Sequence, residues 1–496
     1  MMSIPSDKQS ADPILVLDIG SSSVRALLYE VTAEPVFGAS VSHEHAHDHP
    51  EPGASTADAR TLRGLVETCI DDLLTHPRAG RVAAVACAAF ADTLVGLDER
   101  GSPLTPVYTY ADSRAVAAVA PLHELFGAEW LHQHTGCMLH PAHRLAKLVW
   151  LRQSDPTLFE SVVEWVDFPT YLYRAWFGGA RTSLSLASWS GLIDRASRAW
   201  SSALIEAVGI TAAMLPAVGD YREAFVGLSG PYRMRWGALQ DTPFLLPIGD
   251  GAAANVGVGA VDGACVALTV GTTGAVRTLV KADVPPTLPP GIFGYRIDAM
   301  HHLIGGATTE GGVIYTWAQE TLRLASNIEE VLLLRAPDSH GLTVLPLLGG
   351  ERSPGYAAHA TGAIVGLRLD TTPIDIAQAL MESVALRLSL VLAQLAPHPA
   401  ATIAAGGGVI RASRAWTQMI ADALDRPLHV IDSDEVTARG AAILALSALQ
   451  AIPVDATREA FPPLVRTIVE PNPEAARAFV MARDRQAALY AAVISG

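Results

Sequence analysis

Two short segments of the chain combine glycine with hydroxyl side chains, a combination that suits phosphate chemistry. Gly20 is followed by Ser21 and Ser22, and Gly271 is followed by Thr272. Backbone N–H groups in such turns, together with the hydroxyls, bind phosphate oxygens without a fixed positive charge. Each turn alone also suits an ordinary β-hairpin, which is the structural alternative. Because both turns follow an apolar run, the matched pair predicts a site for the phosphates of a nucleotide.

The lysine-containing phosphate loop of many nucleotide-binding proteins is excluded. The chain has only three lysines, Lys8, Lys147 and Lys281, and none lies in a G-x-x-x-x-G-K-[ST] pattern. Phosphates must therefore be held by the glycine–hydroxyl turns and by a bound cation.

Asp18 is the candidate metal ligand. It ends the first apolar run just before Gly20, where a carboxylate can hold Mg²⁺ through water beside the β- and γ-phosphates. Thr269 occupies the equivalent region of the second segment. The alternative interpretation of Asp18 is a turn-stabilising Asx residue. The difference between the segments predicts that the metal belongs to the first half of the chain.

Asp250 is the candidate general base. It stands between Gly249 and Gly251, ahead of small residues that are typical of a helix start. With no bulky neighbour, its carboxylate can reach an open cleft, orient the attacking hydroxyl of an acceptor and accept its proton. Its structural alternative is a helix N-cap, which is compatible with the catalytic role.

A third glycine cluster, Gly406, Gly407 and Gly408, follows an alanine-rich run and precedes a helical pattern. Backbone without side chains can lie flat against a nucleotide base or ribose. Three glycines in a loop are weak evidence by themselves, so this role depends on the other motifs.

The elements that must position these residues follow a repeated pattern. Each glycine–hydroxyl turn lies between two apolar runs, at 14–31 and 265–280, and each predicts a β-hairpin. Gly20 and Gly271 lie about half the chain apart, which indicates a duplicated domain of alternating strands and helices. Apolar spacing and Gly or Pro punctuation predict helices over 61–76, 144–153, 372–395, 412–424 and 437–450.

Length and charge limit the class of protein. At 496 residues and 50% hydrophobic, the chain predicts two lobes, 12–256 and 257–496, with a glycine-rich boundary near 247–259. The net charge of -15 argues against a nucleic-acid or anionic-membrane partner. The four cysteines form no C-x-x-C pair, residues 1–12 lack a signal pattern, and no run of eighteen apolar residues occurs. These features predict a cytoplasmic protein.

The order of the motifs resembles the FGGY family of carbohydrate kinases. The family's first phosphate, catalytic aspartate, second phosphate and adenosine motifs resemble LDIGSSSVRALLYE, PIGDGAAANVG, TVGTTGAVRT and AAGGGVIRASRAWTQMIADAL, and the resemblance runs from Ile14 to about Gln450. It implies an α/β, two-lobed actin-like ATPase (ribonuclease H-like) fold with duplicated domains and an ATP cleft between them. It also implies ATP and Mg²⁺ as cofactors, a sugar-binding first lobe, a nucleotide-binding second lobe and, as a family expectation, a homodimer.

The resemblance also assigns roles to individual residues. It implies Asp250 as the general base and Asp18 beside Mg²⁺. The residues that it places on the phosphates are Gly20, Ser21, Ser22, Gly271 and Thr272. The residues that it places around the adenosine are Gly312, Thr316, Gly406, Gly407 and Gly408.

Several stretches are most similar to gluconate kinases, among them TGCMLHPAHRLAKLVWLR, PLTPVYTYADSRA and LPLLGGERSPGY. The leading reaction is therefore phosphorylation of D-gluconate to 6-phosphogluconate. One departure bears on the acceptor, because Ala91-Asp92 stands where gluconate kinases usually carry Met-His. Asp92 would repel a sugar acid unless a cation compensates, and the candidates are Arg114, His140, His143 and Arg144. Xylulose, a related ketose or polyol, and a non-catalytic sugar sensor of the same fold stay open.

Three further segments have structural interpretations. The run His43 to His49 carries four histidines on alternate positions, where it either binds a transition metal or forms a solvated loop. Trp189 is interpreted as a core residue. The stretch after Pro453 is interpreted as a peripheral helix.

Overall fold

The computed structural model describes residues 12–494, so the sequence prediction for residues 1–11 lies outside the described part. In the first half, the strands are β1 Ile14–Ile19, β2 Ser23–Tyr29, β3 Pro35–Glu44, β4 Thr56–Ala57, β5 Ala84–Ala89, β6 Val95–Leu97, β7 Val107–Tyr108, β8 Glu164–Val166, β9 Arg181–Ser183, β10 Ile193–Asp194, β11 Ala199–Trp200, β12 Ala217–Gly219, β13 Ala224–Phe225, β14 Phe244–Leu245 and β15 Ile248–Gly249. The helices of this half are α1 Ala59–Leu74, α2 Val119–Phe126, α3 Ala128–Thr135, α4 Arg144–Ser154, α5 Pro156–Ser161, α6 Phe168–Phe177, α7 Leu184–Ala187, α8 Ser202–Val208, α9 Gly230–Arg235 and α10 Asp250–Gly257.

The second half continues the numbering. Its strands are β16 Cys265–Val270, β17 Gly274–Lys281, β18 Phe293–Arg296, β19 His301–Thr308, β20 Thr343–Leu345, β21 Ala363–Val365, β22 Thr402–Gly406, β23 Leu428–Ile431 and β24 Val465–Val469. Its helices are α11 Gly312–Thr321, α12 Ile328–Leu334, α13 Pro373–Leu395, α14 Gly408–Ala412, α15 Arg414–Leu424, α16 Val436–Gln450, α17 Thr457–Ala460 and α18 Pro473–Val493.

Each half of the described chain is built on a seven-stranded mixed sheet. The first sheet has the order β13-β14-β5-β1-β2-β3, with β15 also paired to β5, and the second has the order β18-β19-β17-β16-β22-β23-β24. In both sheets the first strand of a hairpin pairs in parallel with a later strand, β1 with β5 and β16 with β22. This shared arrangement supports the duplication inferred from sequence.

Both predicted hairpins are confirmed. Strands β1 and β2 pair antiparallel with Asp18 opposite Arg25, and β16 and β17 pair antiparallel with Thr269 opposite Ala275. The five predicted helices correspond to α1, α4, α13, α15 and α16, each within two residues at either end. Local apolar spacing therefore identified the elements around the site.

Helices α10 and α16 cross at close range between the two sheets. A Cβ on Gly257 would lie 1.9 Å from the carbonyl oxygen of Val436, and a Cβ on Gly440 would lie 1.8 Å from that of Ala253. Small residues of both helices belong to one apolar core that also includes β1 and β17 side chains. Because Asp250 is the first residue of α10, this crossing fixes its position.

Helix α13 is the one helix of residues 12–494 that is long and apolar enough to cross a membrane by itself. However, 83% of its most apolar window is buried inside the protein, which is also the pattern of a core helix. Its N-terminus carries a capping box in which Thr372 and Asp375 satisfy each other's backbone N–H groups.

Candidate active site

Two adjoining cavities meet at the turn of the second hairpin. The smaller, about 340 Å³, is called the acceptor cavity here, and its lining includes Ser21, Asp92, Trp189, Asp250, Thr269, Thr273, Arg277, Arg352 and Gly407. The larger, about 790 Å³, is called the nucleotide cavity, and its lining includes Gly312, Thr316, Glu329, Met381, Gly408, Ser413 and Trp416. Gly271 and Thr272 line both cavities, so a molecule that extends from one into the other passes this turn.

Asp250 opens onto the acceptor cavity from the start of α10. Gly249 occupies the N-cap position, so the N-cap alternative for Asp250 is wrong. Its Oδ1 accepts a hydrogen bond from the N–H of Gly251 at 2.7 Å. Burial raises the pKa of Asp250, and the guanidinium groups of Arg277 and Arg352 oppose that rise. A carboxyl whose pKa lies above its usual range is better suited to take up a proton.

Asp18 is buried at the end of β1. Burial raises its pKa to about 7; Arg25 opposes this, whereas Glu435 and Asp250 add to it. Arg25 Nη1 lies 3.8 Å from the carboxylate. No turn N–H of the described chain donates to Asp18, so the Asx alternative is not observed. Glu435 pairs with Arg25, so of these three carboxylates Asp18 and Asp250 are the ones whose oxygens could bind a hard cation such as Mg²⁺.

Asp92 lies in the acceptor cavity with one carboxylate oxygen unused. Its backbone is left-handed, with φ of 60°, and the residue is 3% exposed. Oδ2 lies 3.1 Å from Nδ1 of His143, whereas Oδ1 is buried without a hydrogen-bond partner. The other ring nitrogen of His143 lies 3.1 Å from the Met138 carbonyl oxygen. His143 is therefore the predicted compensating side chain that contacts Asp92.

Lys147 supports Asp92 from behind. Its buried Nζ donates to the carbonyl oxygens of Asp92, at 3.2 Å, and Ala142. Burial lowers the pKa of Lys147 to about 8. These bonds hold the left-handed backbone of Asp92 in place, so its free oxygen has a fixed direction.

Other cations that the sequence offered as compensation for Asp92 lie elsewhere. Arg114 is bound by the carboxylates of Asp112 and Glu51, each at 2.6 Å, and is absent from the cavity lining. Arg144 pairs with Asp167 at 3.3 Å.

His140 lies beside the cavity rather than in its lining, with its ring 6.4 Å from the ring of Tyr356. Burial lowers the pKa of His140 to about 3, so its imidazole is neutral.

Arg277 and Arg352 are the cations that do line the acceptor cavity, and sequence reasoning did not select either. Arg277 Nη1 donates to Thr269 Oγ1 at 3.3 Å, whereas its Nε is buried without a partner. Arg352 has no side-chain hydrogen bond or ion pair within residues 12–494. The signal that was available is the position of Arg277 in TVGTTGAVRT, a few residues after the second turn.

Trp189 is a wall of the acceptor cavity as well as a core residue. Its ring stacks on Tyr295 with centroids 3.8 Å apart, which agrees with the packing role predicted from sequence. Its Nε1–H, however, is buried without a hydrogen-bond acceptor, and the side chain lines the cavity. The cavity therefore offers one unused donor on Trp189 and one unused acceptor on Asp92.

The nucleotide cavity contains most of the residues predicted around adenosine. Gly312 and Thr316 lie on α11, and the N–H of Gly312 donates to the carbonyl oxygen of Gly271 at 2.6 Å. Gly408 lies in the nucleotide cavity and Gly407 in the acceptor cavity. Gly407 has φ of 103°, and a Cβ there would lie 2.5 Å from the Val270 carbonyl oxygen, so this position requires glycine.

The remaining predicted phosphate and adenosine residues lie next to the cavities without lining them. Gly406 is buried at the end of β22. Gly20 and Ser22 form the first turn, in which the N–H of Gly20 donates to the Ser23 carbonyl oxygen at 2.9 Å. Only Ser21 of that turn faces the acceptor cavity.

The histidine run supports the first turn rather than forming a metal site. The Nε2 atom of His45 lies 3.0 Å from the Gly20 carbonyl oxygen. The backbone N–H of His45 donates to the Ser22 carbonyl oxygen at 2.9 Å. His43, by contrast, contacts Asp72 at 2.8 Å. Within residues 12–494, the cluster with metal-ligand spacing is Asp338, His340 and Glu382, far along the chain from this run.

The C-terminal helix holds the segment that carries Arg352. The hydroxyl of Tyr490, near the end of α18, donates to Glu351 at 2.5 Å, and Arg387 of α13 forms an ion pair with the same carboxylate. The N–H groups of Gly355 and Ala357 also donate to Glu351. Helix α18 is therefore more than the peripheral helix predicted from sequence, because it anchors a wall of the acceptor cavity.

The chain matches a known protein family. The N-terminal domain of the FGGY family of carbohydrate kinases matches residues 13–257, and the C-terminal domain matches residues 266–449. The chain therefore belongs to the FGGY family of carbohydrate kinases. It is accordingly a sugar kinase, a phosphotransferase with ATP as its phosphate donor.

Similar proteins include gluconate kinases and xylulose kinases. The gluconokinase of Bacillus subtilis (strain 168) is 28% identical over 455 residues, which are 88% of this chain and 87% of the relative. The xylulose kinase of Klebsiella pneumoniae is 26% identical, over 82% of this chain and 83% of the relative. The crystal structure of gluconate kinase from Lactobacillus acidophilus superimposes with a TM-score of 0.90 at 26% identity, covering 98% of this chain and 99% of the other. The predicted two-lobed actin-like ATPase fold is thus confirmed.

Proposed function

We propose that this kinase transfers the γ-phosphate of ATP to D-gluconate, forming 6-phosphogluconate. The observation that carries the proposal is the single acceptor cavity in which Asp250 faces the Gly271–Thr272 turn, with two arginines beside it. The similarity to proteins named gluconokinase supports the same acceptor. The proposal extends to the lobes: 12–256 and 257–496 both contribute to the acceptor site, with the general base in the first, and 257–496 contributes the nucleotide site.

Asp250 acts as the general base in this proposal. Its carboxylate receives the proton of the attacking hydroxyl. General-base catalysis of this kind raises the rate by about 10²- to 10⁴-fold. Its raised pKa favours that uptake, while the bond from the Gly251 N–H keeps one oxygen in a fixed position. The other oxygen is then the one that meets the acceptor.

The two turns share the phosphates. Ser21 lies on the acceptor side, and Gly271 and Thr272 lie where the two cavities meet, so their N–H and hydroxyl groups can bind the β- and γ-phosphate oxygens. Asp18, whose carboxylate interacts with that of Asp250, is the residue that would hold a hard cation. Bound Mg²⁺ would neutralise charge on those oxygens.

A second acceptor class is supported by Asp92. Its unused Oδ1 accepts a hydroxyl whether or not the acceptor is charged, so xylulose, another ketose or a polyol also satisfies it. Several relatives are named xylulose kinase. A sugar sensor of the same fold is the non-catalytic alternative.

A cytoplasmic location fits the four cysteines, which are all buried and unpaired. The homodimer stays a prediction.

The test is a screen of ADP release with gluconate, xylulose, ribulose and glycerol, in wild type and in Asp250→Asn. We expect gluconate to have the highest kcat/KM, and Asp250→Asn to lower kcat by roughly 10²- to 10⁴-fold while ATP binding and Tm stay nearly unchanged. A higher kcat/KM for a ketose or polyol would contradict gluconate. Retention of most activity in Asp250→Asn would contradict the assigned base, and no sugar-stimulated ADP release would favour the sensor.

A further inference from the structure

The acceptor cavity contains two positive charges that no carboxylate of the described chain neutralises. The buried arginines of the described chain have partners: Arg144 and Arg387 pair with carboxylates, and backbone carbonyl oxygens hold Arg195, Arg296 and Arg439. Arg277 has only one hydroxyl partner, and Arg352 has none. Both are half-buried and line the cavity, and a guanidinium group without a carboxylate partner in such a place can bind an anionic ligand.

Two glycines lie next to the Arg277 side chain. A Cβ on Gly305 would lie 2.8 Å from Cγ of Arg277, and a Cβ on Gly251 would lie 3.4 Å from its Cζ. Two glycines therefore border the arginine, one on β19 and one on the catalytic helix α10. The absence of side chains at these two positions makes room for the Arg277 side chain.

Electrostatics favour an anion next to these side chains. Burial lowers the pKa of Arg277 to about 10, Asp250 opposes this, and repulsion from Arg352 adds to it. Asp250 is not within ion-pair distance of either guanidinium. An anionic ligand held by both would offset the burial and the repulsion together.

The segment that carries Arg352 is fixed in place. Glu351, its neighbour, receives the Tyr490 hydroxyl, the Arg387 ion pair and two backbone N–H groups. This network leaves the Glu351 carboxylate with no role in neutralising Arg352. A rigid segment presents the guanidinium with little loss of conformational freedom on binding.

We propose that Arg277 and Arg352 form a subsite for the carboxylate of a sugar-acid acceptor, with the free Oδ1 of Asp92 receiving one of its hydroxyls. The inference rests on the proposed function, since it concerns the acceptor of that reaction. The two arginines would also offset the repulsion that Asp92 exerts on a sugar acid, because they line the same cavity as Asp92. The competing role for the arginines is contact with the transferred phosphoryl group.

The experiment compares acids with matched neutral polyols in the absence of ATP. Dissociation constants are measured by calorimetry, with displacement for weak ligands, for gluconate, galactonate and xylonate against glucitol, galactitol and xylitol. The proteins are wild type, Arg277→Gln, Arg352→Gln and, as a matched control from the first hairpin, Arg25→Gln. We expect wild type to prefer acids by at least about tenfold.

Each cavity variant should weaken acids by roughly 10- to 100-fold and polyols by less than about threefold, because only acids lose a charge-assisted bond. Arg25→Gln should leave the ratio of acid to polyol affinity unchanged. Equal losses for acids and polyols, or no acid preference in wild type, would overturn the subsite. A larger loss in kcat than in acid affinity would assign the arginines to the phosphoryl group instead.

A ligand-side measurement covers variants that fold poorly. Gluconamide, which is neutral and nearly isosteric, should bind wild type at least about tenfold more weakly than gluconate; equal affinity would overturn the proposal. If gluconate is not phosphorylated but another sugar acid shows the arginine-dependent preference, the proposed reaction fails and the subsite stands. If gluconate is phosphorylated without that preference, the reaction stands and the subsite fails.

Discussion

The two glycine–hydroxyl hairpins share their strand pairing and differ in what their arginines contact. In both, the first glycine N–H donates within the turn at 2.9 Å, and the first strand pairs in parallel with the next strand of its sheet. In the first hairpin, Arg25 pairs with Glu435 of the other half and lies near Asp18. In the second, Arg277 faces the acceptor cavity and contacts Thr269.

The difference indicates that the two copies of the duplicated hairpin have different functions. The first hairpin has a strand-end carboxylate, Asp18, whose arginine neighbour is already neutralised by Glu435. The second has a hydroxyl at the same place, so its arginine has no competing carboxylate. We infer that both turns bind phosphate, that the first copy also serves a cation, and that the second also serves an anionic acceptor.

The largest expected effect concerns the strand-end residues. Asp18→Asn should lower kcat/KM for ATP by roughly 10²- to 10³-fold, because a preorganised electrostatic group is removed. Thr269→Val, its counterpart, should lower it by less than about tenfold, since one hydrogen bond is lost. Steady-state kinetics at saturating Mg²⁺ measure both, with Tm as the folding control. Similar losses in the two variants would contradict the division between the copies.

A smaller effect, on the free energy of unfolding, is expected at the crossing of α10 and α16, to which each half contributes one helix. Gly257→Ala and Gly440→Ala each place a Cβ within 2 Å of a carbonyl oxygen of the facing helix, so each should lower the free energy of unfolding by about 1–3 kcal/mol. Gly64→Ala, in α1 with nothing within 4 Å of the added Cβ, is the matched control and should be neutral or stabilising. Denaturant unfolding compares the three. A destabilised Gly64→Ala with unaffected crossing variants would refute the packing argument.

The smallest effect concerns a buried carboxyl behind the second turn. Burial raises the pKa of Glu310 from 4.5 to about 7, only partly offset by the Gly349 N–H. Between these pH values the folded protein holds more protons than the unfolded chain, so the free energy of unfolding falls as pH rises. Glu310→Gln keeps an acceptor oxygen and cannot ionise. Its stability relative to wild type should therefore grow from pH 4.5 to 7, by about 1–2 kcal/mol.

Urea unfolding of both proteins across pH 4.5 to 8 measures the Glu310 difference. A constant difference over this range would show that Glu310 has an ordinary acidity in the folded protein. A reversed slope would mean that a cation neutralises the carboxylate.

Much of the fold was predictable from local pattern. Both hairpins and five helices follow from apolar runs, glycine turns and their spacing, because β-strands and amphipathic helices record burial in sequence periodicity. Asp92, Asp250, Gly271 and Thr272 were selected from sequence, and the fold places all four in one cavity.

The residues that sequence reasoning missed or misplaced are arginines whose surroundings depend on the fold. Arg114 was a candidate for the acceptor because its charge has the right sign, but nearby Asp112 and distant Glu51 bind it. Arg277 was overlooked because an arginine in a strand is usually solvated. Its availability depends on a cavity formed by both halves.

The sequence by itself determined the strand–turn–strand units, the helices behind them and the identity of the carboxylates beside the glycine turns. These depend on interactions between residues close along the chain. Only the tertiary structure decided which arginines are free to bind a ligand, because Arg25 meets Glu435 across 410 positions while Arg277 meets no carboxylate. Pairing of buried charge is a through-space property, and no local pattern encodes it.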